Sequence, residues 1–179
     1  MKKTRKIVII SLLCSISVVL DIIKEFIPFL NLPSGGSINI SLIPIMVASF
    51  TLGVKEGILC SFISYLISFA LGLNNIFLSV PQYTLDYLIP VICVGGCSIF
   101  YKNKNIKEME LGIFVSMFLR TTSIVISGAY YWLSSTSIAG SLESFVGSIA
   151  YNVPYAFITM IVLMISVPII VKVANKYLV

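Results

Sequence analysis

The chain of 179 residues contains no histidine, and only 11% of its residues are charged. Without imidazole, the common Ser–His and Cys–His nucleophile pairs and histidine metal sites are excluded. There is no Gly-x-x-x-x-Gly-Lys-Ser/Thr loop, so ATP is not used by that route. The four cysteines, Cys14, Cys60, Cys93 and Cys97, all lie in apolar segments. Cys93 and Cys97 share a helix face at four-residue spacing but have no further ligands nearby, so all four read as small packing residues rather than a metal site. No Ala-x-Ala cleavage pattern follows the first apolar run, so that run is expected to be a retained helix and not a signal peptide. Nothing here supports an enzyme, a cofactor or a bound metal.

What the chain does have is apolar surface. Hydrophobic residues make up 58% of it, with a mean hydropathy of +1.05. Roughly half-apolar composition already supplies the core of a soluble domain, so the surplus must face lipid. A membrane helix needs about 20 apolar residues, and the runs predict an all-α integral membrane protein, one membrane domain over residues 1–179. Its six helices are expected at about 7–29, 40–52, 57–73, 83–101, 111–133 and 145–174. The second is short and contains Pro44. Pro28 and the Asn31-Leu-Pro-Ser-Gly-Gly36 loop close the first, and Gly53-Val-Lys-Glu-Gly57 reads as a turn.

Lysine placement gives this frame a direction. Lys2, Lys3, Arg5 and Lys6 precede helix 1; Lys55 lies between helices 2 and 3, and Lys102, Lys104 and Lys107 between helices 4 and 5. Lys172 and Lys176 lie at the C-terminal end. The other connections carry no lysine or arginine apart from Lys24 near the outer end of helix 1. The positive-inside rule therefore predicts a multi-pass cell-membrane protein with both termini in the cytoplasm. The net charge of +5 follows from topology and requires no nucleic-acid partner.

Ionisable residues away from the interface mark candidate sites, because burying them unpaired is costly. Asp86 and Arg120 are the two that qualify, and a structural Asp86–Arg120 pair is one reading of them. Asp21, Lys24 and Glu25 are expected at the interface, offsetting one another on the helix surface. On helix 4, Tyr83 and Pro90 share the face of Asp86. On helix 5, Arg120, Ile124, Gly128 and Trp132 form a slowly drifting stripe. Helix 6 carries Ser148, Tyr151, Asn152 and Tyr155. Asp86, Trp132, Asn152 and Tyr155 fall at one depth in the outer half. A carboxylate, an amide and aromatic faces suit a flat, cationic, hydrogen-bonding organic ligand. Ser11 and Ser15 make a small-xxx-small pattern that lets another helix approach closely.

These residues resemble the thiamine-specific S components, the substrate-binding subunits of energy-coupling factor (ECF) transporters. The resemblance runs through Ser34-Gly-Gly-Ser-Ile-Asn-Ile-Ser-Leu-Ile-Pro44, Gln82 to Tyr87, Arg120 to Trp132, and Tyr151-Asn-Val-Pro-Tyr155. It implies a six-helix bundle of the ECF S-component type with a vitamin site near the outer face. It also implies a helix 1 surface, here Ser11 and Ser15, that meets a transmembrane coupling subunit carried by two ATPase subunits. The family's acidic residue for the aminopyrimidine is matched by Asp86, one methylene shorter than the usual Glu. Tyr87, Gly128, Trp132 and Asn152 match further ligand positions, with Trp132 the platform for the thiazolium. Ile124 stands where the family pattern places a histidine. The resemblance thus implies capture of thiamine or a close relative; an S component for a different heterocyclic vitamin or precursor is the nearby alternative. A stand-alone proton-coupled carrier and a membrane scaffold are the readings from other classes.

Overall fold

The computed structural model describes residues 3–31, 37–73, 76–133 and 138–177. Lys2, Ser34, Gly35, Gly36 and Asn74, used in the sequence reading, lie outside them. The described residues form six helical spans: α1 (Lys3–Phe26), α2 (Leu42–Leu52), α3 (Val54–Ala70), α4 (Val80–Phe100), α5 (Ile106–Trp132) and α6 (Leu142–Tyr177). The expected all-α, six-helix membrane fold is therefore present. α1, α4, α5 and α6 are long and apolar enough to cross a membrane.

α2 is the central element. Every residue from Pro44 to Phe50 is buried, as expected of a helix that is apolar on all sides. At 1.5 Å per residue it is only about 16 Å long, shorter than a bilayer core of about 30 Å. The irregular stretch before it, Ser37 to Ser41, bonds through its polar groups to neighbouring helices: Asn39 N–H donates to Thr159 Oγ1 of α6 at 3.2 Å, and the Ser41 carbonyl accepts from Ser17 of α1 at 2.8 Å.

Around α2 the other helices pack through small residues. Gly53, at φ +116°, makes the tight turn into α3. A Cβ on Gly57 of α3 would come within 2.3 Å of the Gly95 carbonyl of α4, so the two backbones touch there. Ser49 of α2 closes this contact: its hydroxyl donates to the Gly95 carbonyl at 2.7 Å and accepts from Ser98 N–H at 3.3 Å. The four thiols are free, and Cys14 Sγ sits 3.3 Å from Cys60 Sγ in the α1–α3 seam.

At one end of the bundle Lys6 bonds Glu56 at 2.5 Å, and Arg5 donates to the Tyr177 carbonyl at 3.2 Å. The start of α1, the α2–α3 turn and the end of α6 therefore share one face. These segments carry Lys3, Lys6, Lys55, Lys172 and Lys176. The chemistry-bearing residues gather toward the opposite end.

One expectation is overturned. Lys24 is not on the surface; it is only 6% exposed and points into the bundle. It bonds Asp21 Oδ1 at 3.0 Å and Asn39 Oδ1 at 3.2 Å, with Glu25 at 3.6 Å. Asp21 also accepts from Ser41 at 3.3 Å and Ser68 at 3.2 Å. The three-residue spacing of Asp21 and Lys24 and the adjacent Glu25 suggest surface pairing. That spacing allows burial equally well once the segment entering α2 (Asn39, Ser41) and α3 (Ser68) supply amide and hydroxyl partners.

Candidate functional site

Local backbone geometry sets the site. Pro90 lies inside α4, and in an unbroken α-helix its ring would strike the carbonyl of Asp86. The helix instead widens to a π turn over Thr84–Leu88, the segment that carries Asp86 and Tyr87. Leu85 cannot bond forward to Pro90, which has no N–H, and its carbonyl accepts from Ser123 of α5 at 2.6 Å. A second π turn, Gly128–Trp132, ends α5. Single π turns are rare and cluster at functional sites. This one also straightens the α5 stripe: residues four apart drift by about 40° per step in an α-helix, and the wider turn brings Trp132 back toward the line of Arg120, Ile124 and Gly128.

These elements wall a cavity of about 620 Å³. From α4 come Asp86 and Tyr87; from α5, Arg120, Ile124, Gly128 and Trp132; from α6, Ser148, Tyr151, Asn152 and Tyr155. Ser37, Asn39 and Ile76, from the segments entering α2 and α4, close the remaining side. The volume lies in the usual range for small-molecule pockets, roughly 300–1,000 Å³.

Asp86 is the hub. Its Oδ2 accepts from Gln82 Nε2 at 2.6 Å and from Trp132 Nε1 at 2.8 Å. Its Oδ1 accepts no hydrogen bond from a described residue, leaving one anionic oxygen for an occupant. Among the described residues no Asp86–Arg120 ion pair forms, so the structural-pair reading has no support. Gln82, which is fully buried, is the positioning residue the sequence reading passed over. Besides holding Asp86 it accepts from Leu78 N–H at 3.0 Å, tying the carboxylate to the segment that enters α4. Its signal was present: a glutamine one turn before the only carboxylate on the helix.

On α6, Ser148, Asn152, Tyr155 and Thr159 form a polar face at helical spacing. Asn152 Nδ2 donates to the Ser148 carbonyl at 2.9 Å, and Tyr155 hydroxyl donates to Asn152 Oδ1. Ser148 donates to the Val125 carbonyl of α5 at 2.8 Å. Gly128 makes room for this seam, since a Cβ there would lie 2.2 Å from Ser148 Oγ. The space left by Gly128 is thus shared between the cavity and Ser148.

Of the seven sequence candidates, Asp86, Tyr87, Gly128, Trp132, Asn152 and Tyr155 all line this one cavity. Tyr83 does not. It packs behind Tyr87 with ring centroids 4.8 Å apart, in an aromatic layer with Phe77 and Tyr65. Ser11 and Ser15 lie away from the site on the exposed face of α1, where Ser15 donates to the Ser11 carbonyl at 2.9 Å.

The family model described as Thiamine transporter protein (Thia_YuaJ) matches residues 7–179. The chain belongs to this family. It is 31% identical over 166 residues to the thiamine transporter ThiT of Bacillus subtilis (strain 168), covering 86% of this chain and 83% of that one. Among solved structures, its fold is similar to that of ThiT from Listeria monocytogenes, with a TM-score of 0.71 at 19% identity over 97% of this chain and 98% of the other. It is also similar to the S component of a bacterial ECF transporter, with a TM-score of 0.70 at 21% identity over 99% of both chains. Membership makes the chain a multi-pass membrane transporter component and not an enzyme.

Proposed function

We propose that this chain is the substrate-binding component of an ECF-type vitamin importer and captures thiamine, or a close relative, from the outer face of the cell membrane. One observation carries this reading. Asp86 and Trp132, 46 residues apart in sequence, are bonded to each other on the wall of a single cavity. Thiamine joins an aminopyrimidine to a cationic thiazolium. Asp86 Oδ1 takes the aminopyrimidine amine, and its charge compensates the cation. Trp132 supplies an aromatic face for the thiazolium, an interaction worth about 0.5–2 kcal/mol depending on desolvation. Asn152 and Tyr155 offer amide and hydroxyl groups to the heteroatoms, and Tyr87, Tyr83 behind it and Gly128 shape the wall. Ile124 places an apolar side chain beside the thiazolium.

The orientation follows lysine placement: the end that carries Lys6 and the last turn of α6 faces the cytoplasm, and the cavity faces outward. No group in the site supplies energy, so transport depends on partners, a transmembrane coupling subunit and two ATPase subunits. Ser11 and Ser15, small and exposed on α1, form the surface that meets the coupling subunit.

Trp132 is the only tryptophan in the chain and reports on its own site. Adding thiamine to the purified protein is expected to quench its fluorescence saturably at one ligand per chain. No response to thiamine, its phosphates, or its pyrimidine and thiazole halves would overturn the ligand assignment. Uptake in cells is expected only when the coupling subunits are co-expressed. Uptake by vesicles without any ATPase, abolished by an uncoupler, would establish a stand-alone carrier instead.

A further inference from the structure

A second, smaller chamber of about 150 Å³ lies against the first. The two share Asn39, Asp86, Tyr87 and Arg120 in their walls. The chamber sits among α1, α2, α3 and α4, where Ser17, Asp21, Lys24, Ser61, Ser64, Tyr65 and Ser68 face it. Its hydrogen-bonding capacity is lopsided.

The carboxylate of Asp21 is spoken for by Lys24, Ser41 and Ser68. Ser17 and Ser61 give their protons to the Ser41 and Val91 carbonyls. Three buried polar atoms on the chamber wall find no partner among the described residues: Arg120 Nη1, Tyr65 hydroxyl and Ser64 Oγ. Ser64, 3% exposed, lies against the thiols of Cys14 and Cys60, which are weak hydrogen-bonding partners. Arg120 can only donate, and both hydroxyls can donate. A buried polar group without a partner costs free energy comparable to a lost hydrogen bond, and three around one chamber select an acceptor.

Charge points the same way. Two carboxylates, Asp21 and Asp86, and two cations, Lys24 and Arg120, cancel across the joined walls. A cationic ligand entering the larger cavity leaves one positive charge in excess, close to the unpartnered Arg120 Nη1. Uncompensated charge in a low-dielectric interior is costly.

We propose that the smaller chamber is an anion subsite, in which a small monovalent anion of the chloride type is held by Arg120, Tyr65 and Ser64 when the cationic ligand binds. Ligand and anion then bind with positive coupling, each neutralising the field the other meets. The chamber has room for such an ion with accompanying water, at roughly 30 Å³ per water. This rests on the proposed cationic ligand for its charge argument, but the anion site itself can be tested separately.

The test compares thiamine affinity, read by Trp132 quenching on the full chain, in sodium chloride and in sodium gluconate at equal ionic strength. Affinity is expected to rise saturably with chloride, by about tenfold, the worth of one charge-assisted hydrogen-bonded contact. Tyr65→Phe keeps the ring that stacks on Tyr87 and removes only the hydroxyl. It is expected to bind thiamine in gluconate as the native chain does, with the chloride effect cut to about twofold or less. Crystals soaked in bromide should show an anomalous peak within hydrogen-bonding distance of Arg120 Nη1. Equal affinities in both salts with no bromide in the chamber overturn the proposal, leaving a chamber of water only. A chloride effect unchanged in Tyr65→Phe also overturns it, since a general salt effect does not depend on that hydroxyl. Failure of thiamine to bind in either salt removes the ligand reading, and the bromide map still decides the anion site.

Discussion

Asp86→Asn is expected to raise the dissociation constant for thiamine by at least roughly 100-fold, about 2.7 kcal/mol, while leaving the fold intact. The fold survives because the asparagine oxygen still accepts from Gln82 Nε2 and Trp132 Nε1, the bonds Asp86 makes now. Binding fails for two reasons. The second oxygen becomes an NH₂ group that meets the aminopyrimidine amine donor to donor, and a site built for a hydrogen bond strongly rejects a partner that cannot make it. The carboxylate that balances the thiazolium is also gone. Titration of the variant through Trp132, alongside its circular dichroism, separates the two effects. An unchanged dissociation constant would falsify the role assigned to Asp86.

Lys24→Met is the substitution expected to cost most in stability, about 3–5 kcal/mol, the range for removing one partner of a buried ion pair. Side-chain exposures of 8% for Lys24 and 13% for Asp21 leave little water to take over. Asp21 would keep Ser41 and Ser68 but lose the only cation bonded to it among the described residues. The double variant Asp21→Asn/Lys24→Met removes both charges together and is expected to recover most of the loss, because an uncharged pair of similar volume needs no compensation. Unfolding in mixed micelles, monitored for both variants, measures the difference. A single variant as stable as the native chain would place the pair in water, against the burial seen here.

Much of the site could be read from residue spacing. The α5 stripe from Arg120 to Trp132 and the α6 face carrying Asn152 and Tyr155 follow from helical periodicity, and both line the cavity. Asp86 was legible because a lone carboxylate in an apolar helix needs a reason. Other parts were not legible. Tyr83 shares a helical face with Asp86 by counting, but the π turn ahead of Pro90 shifts the register, and Tyr83 packs behind Tyr87. Gln82 falls just before the expected helix 4 (83–101) and carries no role by spacing; the fold puts its amide on Asp86. Lys24 looked interfacial because spacing reports which residues are neighbours, not which side of the helix meets α2.

The sequence by itself determined the class of molecule. Its apolar content requires lipid, its lysines mark one end of the bundle, and its missing histidine and phosphate loop exclude the usual catalytic and ATP-using machinery. Those are properties of composition and of contacts local along the chain. Tertiary structure alone decided which polar groups are satisfied. Asp86 is held by Gln82 and Trp132 and not by Arg120, Lys24 is turned inward onto Asp21, and Arg120 is left facing two joined chambers. The physical reason is that hydrogen bonding and desolvation depend on distances of a few ångströms between separate helices, and no local pattern encodes those distances.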